Sequence, residues 1–126
     1  MINVKIMIVD DIGITRRALK DVLVDGCDMN PERIFEAANG SEAISLYQKH
    51  KPDIVFLDIT MPDYDGKTVV KELIKIDPHA QIIMFTGSGE KMDVVECIRA
   101  GAKDYVRKPP RADRVQKALD KIMNGK

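Results

Sequence analysis

Residues 6–11 read IMIVDD, four apolar side chains in a row ending on two adjacent carboxylates. A short unbroken apolar run, as opposed to an alternating one, marks a strand covered on both faces, as in a parallel sheet flanked by helices. The acids at its end pose a chemical problem. Like charges that close repel, and a carboxylate at an apolar boundary loses hydration, so the pair needs a cation or a proton to be stable there.

Outward from this stretch, short apolar runs alternate with longer amphipathic ones along the whole chain, the rhythm of βα repeats around a parallel sheet. Five strands are predicted, at 5–9, 33–37, 54–57, 81–85 and 104–106. The first, third and fourth are continuous apolar runs and belong at the centre of the sheet. Between strands, apolar residues recur at helical spacing. The first helix carries Ile14, Ala18, Leu19, Val22 and Leu23, and the third Val69, Val70, Leu73 and Ile74. Both stripes are read as core-facing. The second helix carries Ala43, Ile44 and Tyr47, the fourth Val94, Val95 and Ile98, and the fifth Val115, Ala118, Leu119 and Ile122. Gly40-Ser41 and Ser88-Gly89-Glu90 read as helix starts, and Gly101 as a left-handed cap on the fourth helix. The expected class is α/β: a five-stranded parallel sheet of (βα)5 organisation with helices on both faces, one domain over residues 1–126.

Twenty basic and twenty acidic side chains cancel, so no global field collects nucleic acid. Cys27 and Cys97 have no CxxC spacing, and His50 and His79 are the only imidazoles. That pattern argues against zinc and for two buried thiols acting as small apolar residues. The opening Met1-Ile2-Asn3 runs straight into the apolar strand without the cationic and small-residue features of a secretory signal. A reducing cytoplasm and no membrane are expected.

In open parallel sheets, ligands bind beyond the carboxyl ends of the strands, where the strand order reverses. Asp10 and Asp11 close the first strand, and Asp58 follows the third in FLDITMPDYDG. Thr86 sits at the end of the fourth in MFTGSG, before small Gly87, and Lys108 follows the fifth in YVRKPP. If strands one and three are neighbours, the three carboxylates converge. Mg²⁺, a hard cation that takes oxygen ligands, and the Lys108 ammonium could then compensate them. A metal, a free carboxylate, a hydroxyl and a lysine make up the inventory of phosphoryl transfer, with Asp58 as nucleophile and an aspartyl phosphate as product. Each residue alone has a plainer reading. Asp10 is a helix cap, Asp58 a turn residue, Lys108 a solvated lysine and Tyr105 a half-buried strand end; Asp63 and Asp65 are a turn before Gly66.

The acid pair in IVDD, the segment LDITMPDYDG, the Thr at the end of the fourth strand, AGAKDYVRKP and the fivefold rhythm fall in one order and spacing. Together they resemble the receiver domain of bacterial two-component response regulators, over essentially the whole chain. The resemblance, and not the residues themselves, implies the flavodoxin-like strand order 2-1-3-4-5. It implies that Asp58 accepts a phosphoryl group from a sensor histidine kinase. Asp11, Asp58 and the backbone carbonyl of Thr60 would ligate Mg²⁺, with Asp10 assisting. Lys108 would pair with the phosphoryl oxygens, Thr86 would turn its hydroxyl toward them, and Tyr105 would follow inward. The surface of the fourth helix, fifth strand and fifth helix would change and bind a downstream protein target. A cis Lys108-Pro109 bond is also implied. Pro110 departs from the family pattern, in which a large apolar residue is frequent there, and Thr60 and Ser88 occupy variable positions that influence phosphoryl lifetime. On this reading the chain is a monomeric stand-alone signalling protein, not an enzyme, of the chemotaxis type, with a phosphorelay intermediate as the alternative.

Readings from other classes meet specific obstacles. An aspartate-nucleophile phosphatase of the haloacid dehalogenase type wants a second Asp two residues after the first, where Thr60 stands. A flavodoxin-like electron carrier needs a phosphate-holding loop after strand one, where Asp10-Asp11 would repel the anion. A degenerate receiver kept only as a scaffold would be expected to lack part of the acid, hydroxyl and lysine set, and here all of it is present.

Overall fold

The computed structural model describes residues 1–87 and 91–124. Strands β1 (Ile6–Val9), β2 (Ile34–Ala37), β3 (Ile54–Asp58), β4 (Ile82–Thr86) and β5 (Asp104–Arg107) alternate with helices α1 (Gly13–Asp21), α2 (Gly40–His50), α3 (Gly66–Ile76), α4 (Lys91–Ala100) and α5 (Ala112–Asn124). Among the described residues the strands form one parallel sheet in the order β2-β1-β3-β4-β5. The expected class and strand order hold. Three strands run one residue further than predicted, to Asp58, Thr86 and Arg107. A polar residue at the rim still joins the backbone ladder, although its side chain reads as the start of a loop.

The alternation of side chains along each strand divides the core in two. On one face Met7, Val9, Val55, Leu57, Ile82 and Met84 pack against α2, α3 and α4. On the other, Ile6, Ile8, Phe56, Ile83, Phe85 and Val106 pack against α1 and α5. Cys97 lies in the first layer and Cys27 in the second, both as free buried thiols. Burial pushes the Cys97 thiol up to about 11, helped by Asp65, Asp93 and Glu96, so it is held as an inert thiol.

The first helix departs from its predicted stripe. Ile14 is 81 % exposed and Ala18 is also outside the core. Only Leu19 of α1 is buried, and a π-helical turn over Val22–Gly26 then carries Leu23 inward. The buried positions Leu19, Leu23 and Cys27 are four apart. In an α-helix such a spacing drifts by about 40° per step, and the wider turn restores the common face. On α4, Val94 is buried, but Val95 and Ile98 face outward beside exposed Met92. Gly101 has φ +133°, the left-handed conformation expected of it, and its N–H donates to the Cys97 and Ile98 carbonyls at 3.1 Å each. The predicted helix start at residues 88–90 lies outside the described residues.

Candidate functional site

Register sets the site. Val9 pairs with Leu57, so Asp10, just past β1, and Asp58, the last residue of β3, stand side by side at the rim of the sheet. Between β1 and β3 the chain order reverses, one strand's helix crossing toward β2 and the other's toward β4, which opens the crevice that this class of sheet uses for ligands. Oxygens of Asp10, Asp11 and Asp58 lie within 4.8 Å of one another. Asp10 is fully buried, Asp58 is 5 % exposed, and Asp11 is open to solvent.

Lys108 closes the group from β5. Its Nζ is 2.9 Å from Asp10 Oδ2 and 3.2 Å from Asp58 Oδ1, and it lies 5.1 Å from the centre of the Phe85 ring. Only the Asp58 contact has hydrogen-bond geometry. The Asp10 contact is a charge pair that leaves the buried Oδ2 without a directed hydrogen bond. Burial opposes the ammonium, but its attraction to Asp10 and Asp58 wins and raises Lys108 above the ordinary lysine value. Burial first, and the Asp10 charge second, push the Asp58 carboxyl up to about 6, against the pull of Lys108 and of a hydrogen bond from the Thr60 backbone. One ammonium does not fully compensate these carboxylates. Clustered carboxylate oxygens, two of the three side chains buried, with repulsion that one ammonium relieves only in part, are the chemistry a hard divalent cation satisfies, so the residues fit Mg²⁺.

Thr86 is buried at the end of β4 and its hydroxyl donates to the Gly87 carbonyl at 3.0 Å. Tyr105 is half-exposed on β5 and, with Thr86, Val94 and Val95, lines a cavity of about 190 Å³ between β5 and α4. The Lys108-Pro109 bond is cis, as the resemblance implied. Ser88 lies outside the described residues.

Asp63 and Asp65 are more than a plain turn. Asp65 caps α3, its Oδ1 accepting from Thr68 N–H at 2.8 Å. Asp63 reaches across to α2 and accepts from the N–H groups of Gly40 and Ser41 at 2.8 and 2.9 Å. The Tyr64 ring covers Gly40, where an added Cβ would meet it at 2.5 Å. The loop that carries Thr60 is thereby fastened at both sides. Sequence reasoning also passed over Arg16, whose Nη1 donates to the Asp10 backbone carbonyl at 2.7 Å while Nε donates to Glu36 on β2 at 3.0 Å. An arginine on the polar side of an amphipathic helix carries no local signal of such a contact, because its partners come from β1 and β2.

The family model for the response regulator receiver domain matches residues 6–120. The chain belongs to that family. The receiver is 45 % identical over 120 residues to the chemotaxis protein CheY of Bacillus subtilis, covering 95 % of this chain and 98 % of that one. Its identity to CheY of Thermotoga maritima is 44 % over 118 residues, with 94 % and 96 % coverage. A CheX–CheY–BeF₃–Mg²⁺ complex from Borrelia burgdorferi superposes with a TM-score of 0.83 at 31 % identity, covering 95 % of the receiver and 89 % of that chain. This membership makes the protein a two-component response regulator, a signalling protein and not a conventional enzyme. No helix among the described residues is long and apolar enough to cross a membrane.

Proposed function

We propose that the receiver accepts a phosphoryl group on Asp58 from a histidine kinase and acts in chemotaxis signalling by changing its affinity for a protein target. The observation that carries this is the meeting of Asp10, Asp11, Asp58 and Lys108 at the tips of β1, β3 and β5. A carboxylate oxygen of Asp58 attacks phosphorus, the P–N bond of the donor phosphohistidine breaks, and the imidazole leaves with the electron pair and takes a proton. Asp11, Asp58 and the Thr60 carbonyl would hold Mg²⁺, with Asp10 assisting. When bound, the ion supplies positive charge that allows an anionic nucleophile to meet an anionic donor. Lys108, held 3.2 Å from Asp58, is placed to pair with the phosphoryl oxygens that arrive beside it.

Thr86 would turn toward the new charge and Tyr105 would move into the cavity beside it, two adjacent changes on β4 and β5. The target would dock on the α4, β5 and α5 face, where Met92, Val95, Ile98 and Tyr105 are exposed and Tyr105 lies beside Arg107, Arg114 and Lys117. Similarity to CheY proteins across nearly their full length supports chemotaxis over a phosphorelay role. The test is incorporation from acetyl phosphate with Mg²⁺, followed by capture of partners on beryllofluoride-treated and untreated protein. Asp58→Ala is expected to abolish incorporation, and unchanged incorporation in that variant would remove Asp58 as the acceptor. Capture of a histidine-phosphotransfer protein instead of a motility protein would favour the phosphorelay.

A further inference from the structure

Asp11 is the least supported of the three carboxylates: it is exposed, on a short loop between β1 and α1. Its place is set by the peptide unit that joins it to Asp10. The Asp10 N–H donates to the Ala37 carbonyl at 3.1 Å, and Asp10 Oδ1 accepts from Ile12 N–H at 2.9 Å. Those two bonds fix Asp10, and the carbonyl of the Asp10–Asp11 peptide itself receives the Arg16 guanidinium at 2.7 Å. Arg16 is itself fixed by Glu36, which Lys20 also approaches at 3.8 Å. The guanidinium fork thus ties α1 and β2 to the peptide that precedes Asp11, a bidentate role an ammonium cannot copy.

We infer that Arg16, held by Glu36, is a positioning residue for the divalent cation: it orients the Asp10–Asp11 peptide so that Asp11 meets the ion. This rests on the metal-site reading above. A plain charge effect has the opposite sign. A guanidinium near the acids repels a dication, so its removal would tighten Mg²⁺ binding if charge alone mattered. Loss of orientation weakens binding, as removal of outer-shell partners does at metal sites, by about tenfold or more.

The experiment is calorimetric titration with MgCl₂ alone of the whole chain, its Arg16→Lys and Arg16→Met variants and Glu36→Gln, with a thermal melt of each in EDTA to register folding. The expected result is a Kd for Mg²⁺ raised about tenfold in both Arg16 variants, and raised less in Glu36→Gln, where Arg16 remains but is less firmly held. Arg16→Lys keeps the charge, so weakening there separates orientation from electrostatics. Equal or tighter binding in folded Arg16→Met or Arg16→Lys would overturn the inference, as would a lowered melting temperature with an unchanged Kd. Absence of Mg²⁺ binding by the unaltered chain would overturn the metal-site reading and this inference with it, whereas equal binding by all four proteins would overturn only the inference.

Discussion

Asp58 stands where a carboxylate is least comfortable, buried beside Asp10 with one ammonium shared between them. Its pKa, pushed up to about 6 by burial and by Asp10, means that the folded state disfavours the charged form. Above the ordinary carboxylate range the ionised side chain lowers stability, and a neutral isostere removes that cost. Asp58→Asn is therefore expected to be more stable than the unaltered chain in EDTA at neutral pH, by about 1–3 kcal/mol. Urea unfolding followed by circular dichroism measures it. A less stable Asp58→Asn would mean that Lys108 overcompensates the pair. In the proposed function, stability given up at this carboxylate would leave it reactive toward phosphorus.

At the scale of elements, the loop between β3 and α3 carries both a Mg²⁺ ligand of the proposal and two caps. Asp65 closes the first turn of α3 through Thr68, which holds its carboxyl below the usual range. A depressed carboxylate contributes stability above its unfolded pKa and loses it as pH falls through the folded value. Asp65→Ala is expected to cost about 1 kcal/mol at neutral pH, with the difference from the unaltered chain shrinking in acid below the carboxylate range. Thermal melts across pH give the comparison, and a pH-independent difference would rule out the charged cap. Gly66, the next residue, is pressed against β3. An added Cβ would lie 2.8 Å from Ile59 Cα and 3.0 Å from the Asp58 carbonyl oxygen, both backbone atoms that cannot rotate aside. Gly66→Ala is expected to destabilise by about 1–3 kcal/mol and to slow Asp58 labelling by acetyl phosphate, because the peptide of the proposed acceptor is displaced. Full stability and full labelling in that variant would show that the loop has slack.

Across the whole molecule, the features legible in the chain are those with a local period or a local neighbour. Unbroken apolar runs located β1, β3 and β4, and strand ends located Asp10, Asp58, Thr86 and Lys108, since a parallel sheet delivers its carboxyl ends to one rim. Strand order came from family resemblance, because neither periodicity nor composition records which strands are adjacent. Ile14 misled because its spacing from Ala18 fits an amphipathic stripe, yet the first turn of α1 starts at the rim and has no core to face. Asp63 and Arg16 were missed for a related reason: each bonds backbone groups more than twenty residues away or on another element, contacts that only the folded sheet creates. The central claim is a property of that rim: a divalent ion draws together oxygens from the tips of β1 and β3 beside Lys108, and an acyl phosphate forms there. A crystal structure grown with Mg²⁺ and beryllofluoride tests it most directly. The expected result is beryllium bonded to an Asp58 oxygen, the ion on Asp11, Asp58 and the Thr60 carbonyl, and the Lys108 ammonium on a fluorine. An ion bound elsewhere, or Lys108 turned to bulk solvent with Asp58 unmodified, would contradict it.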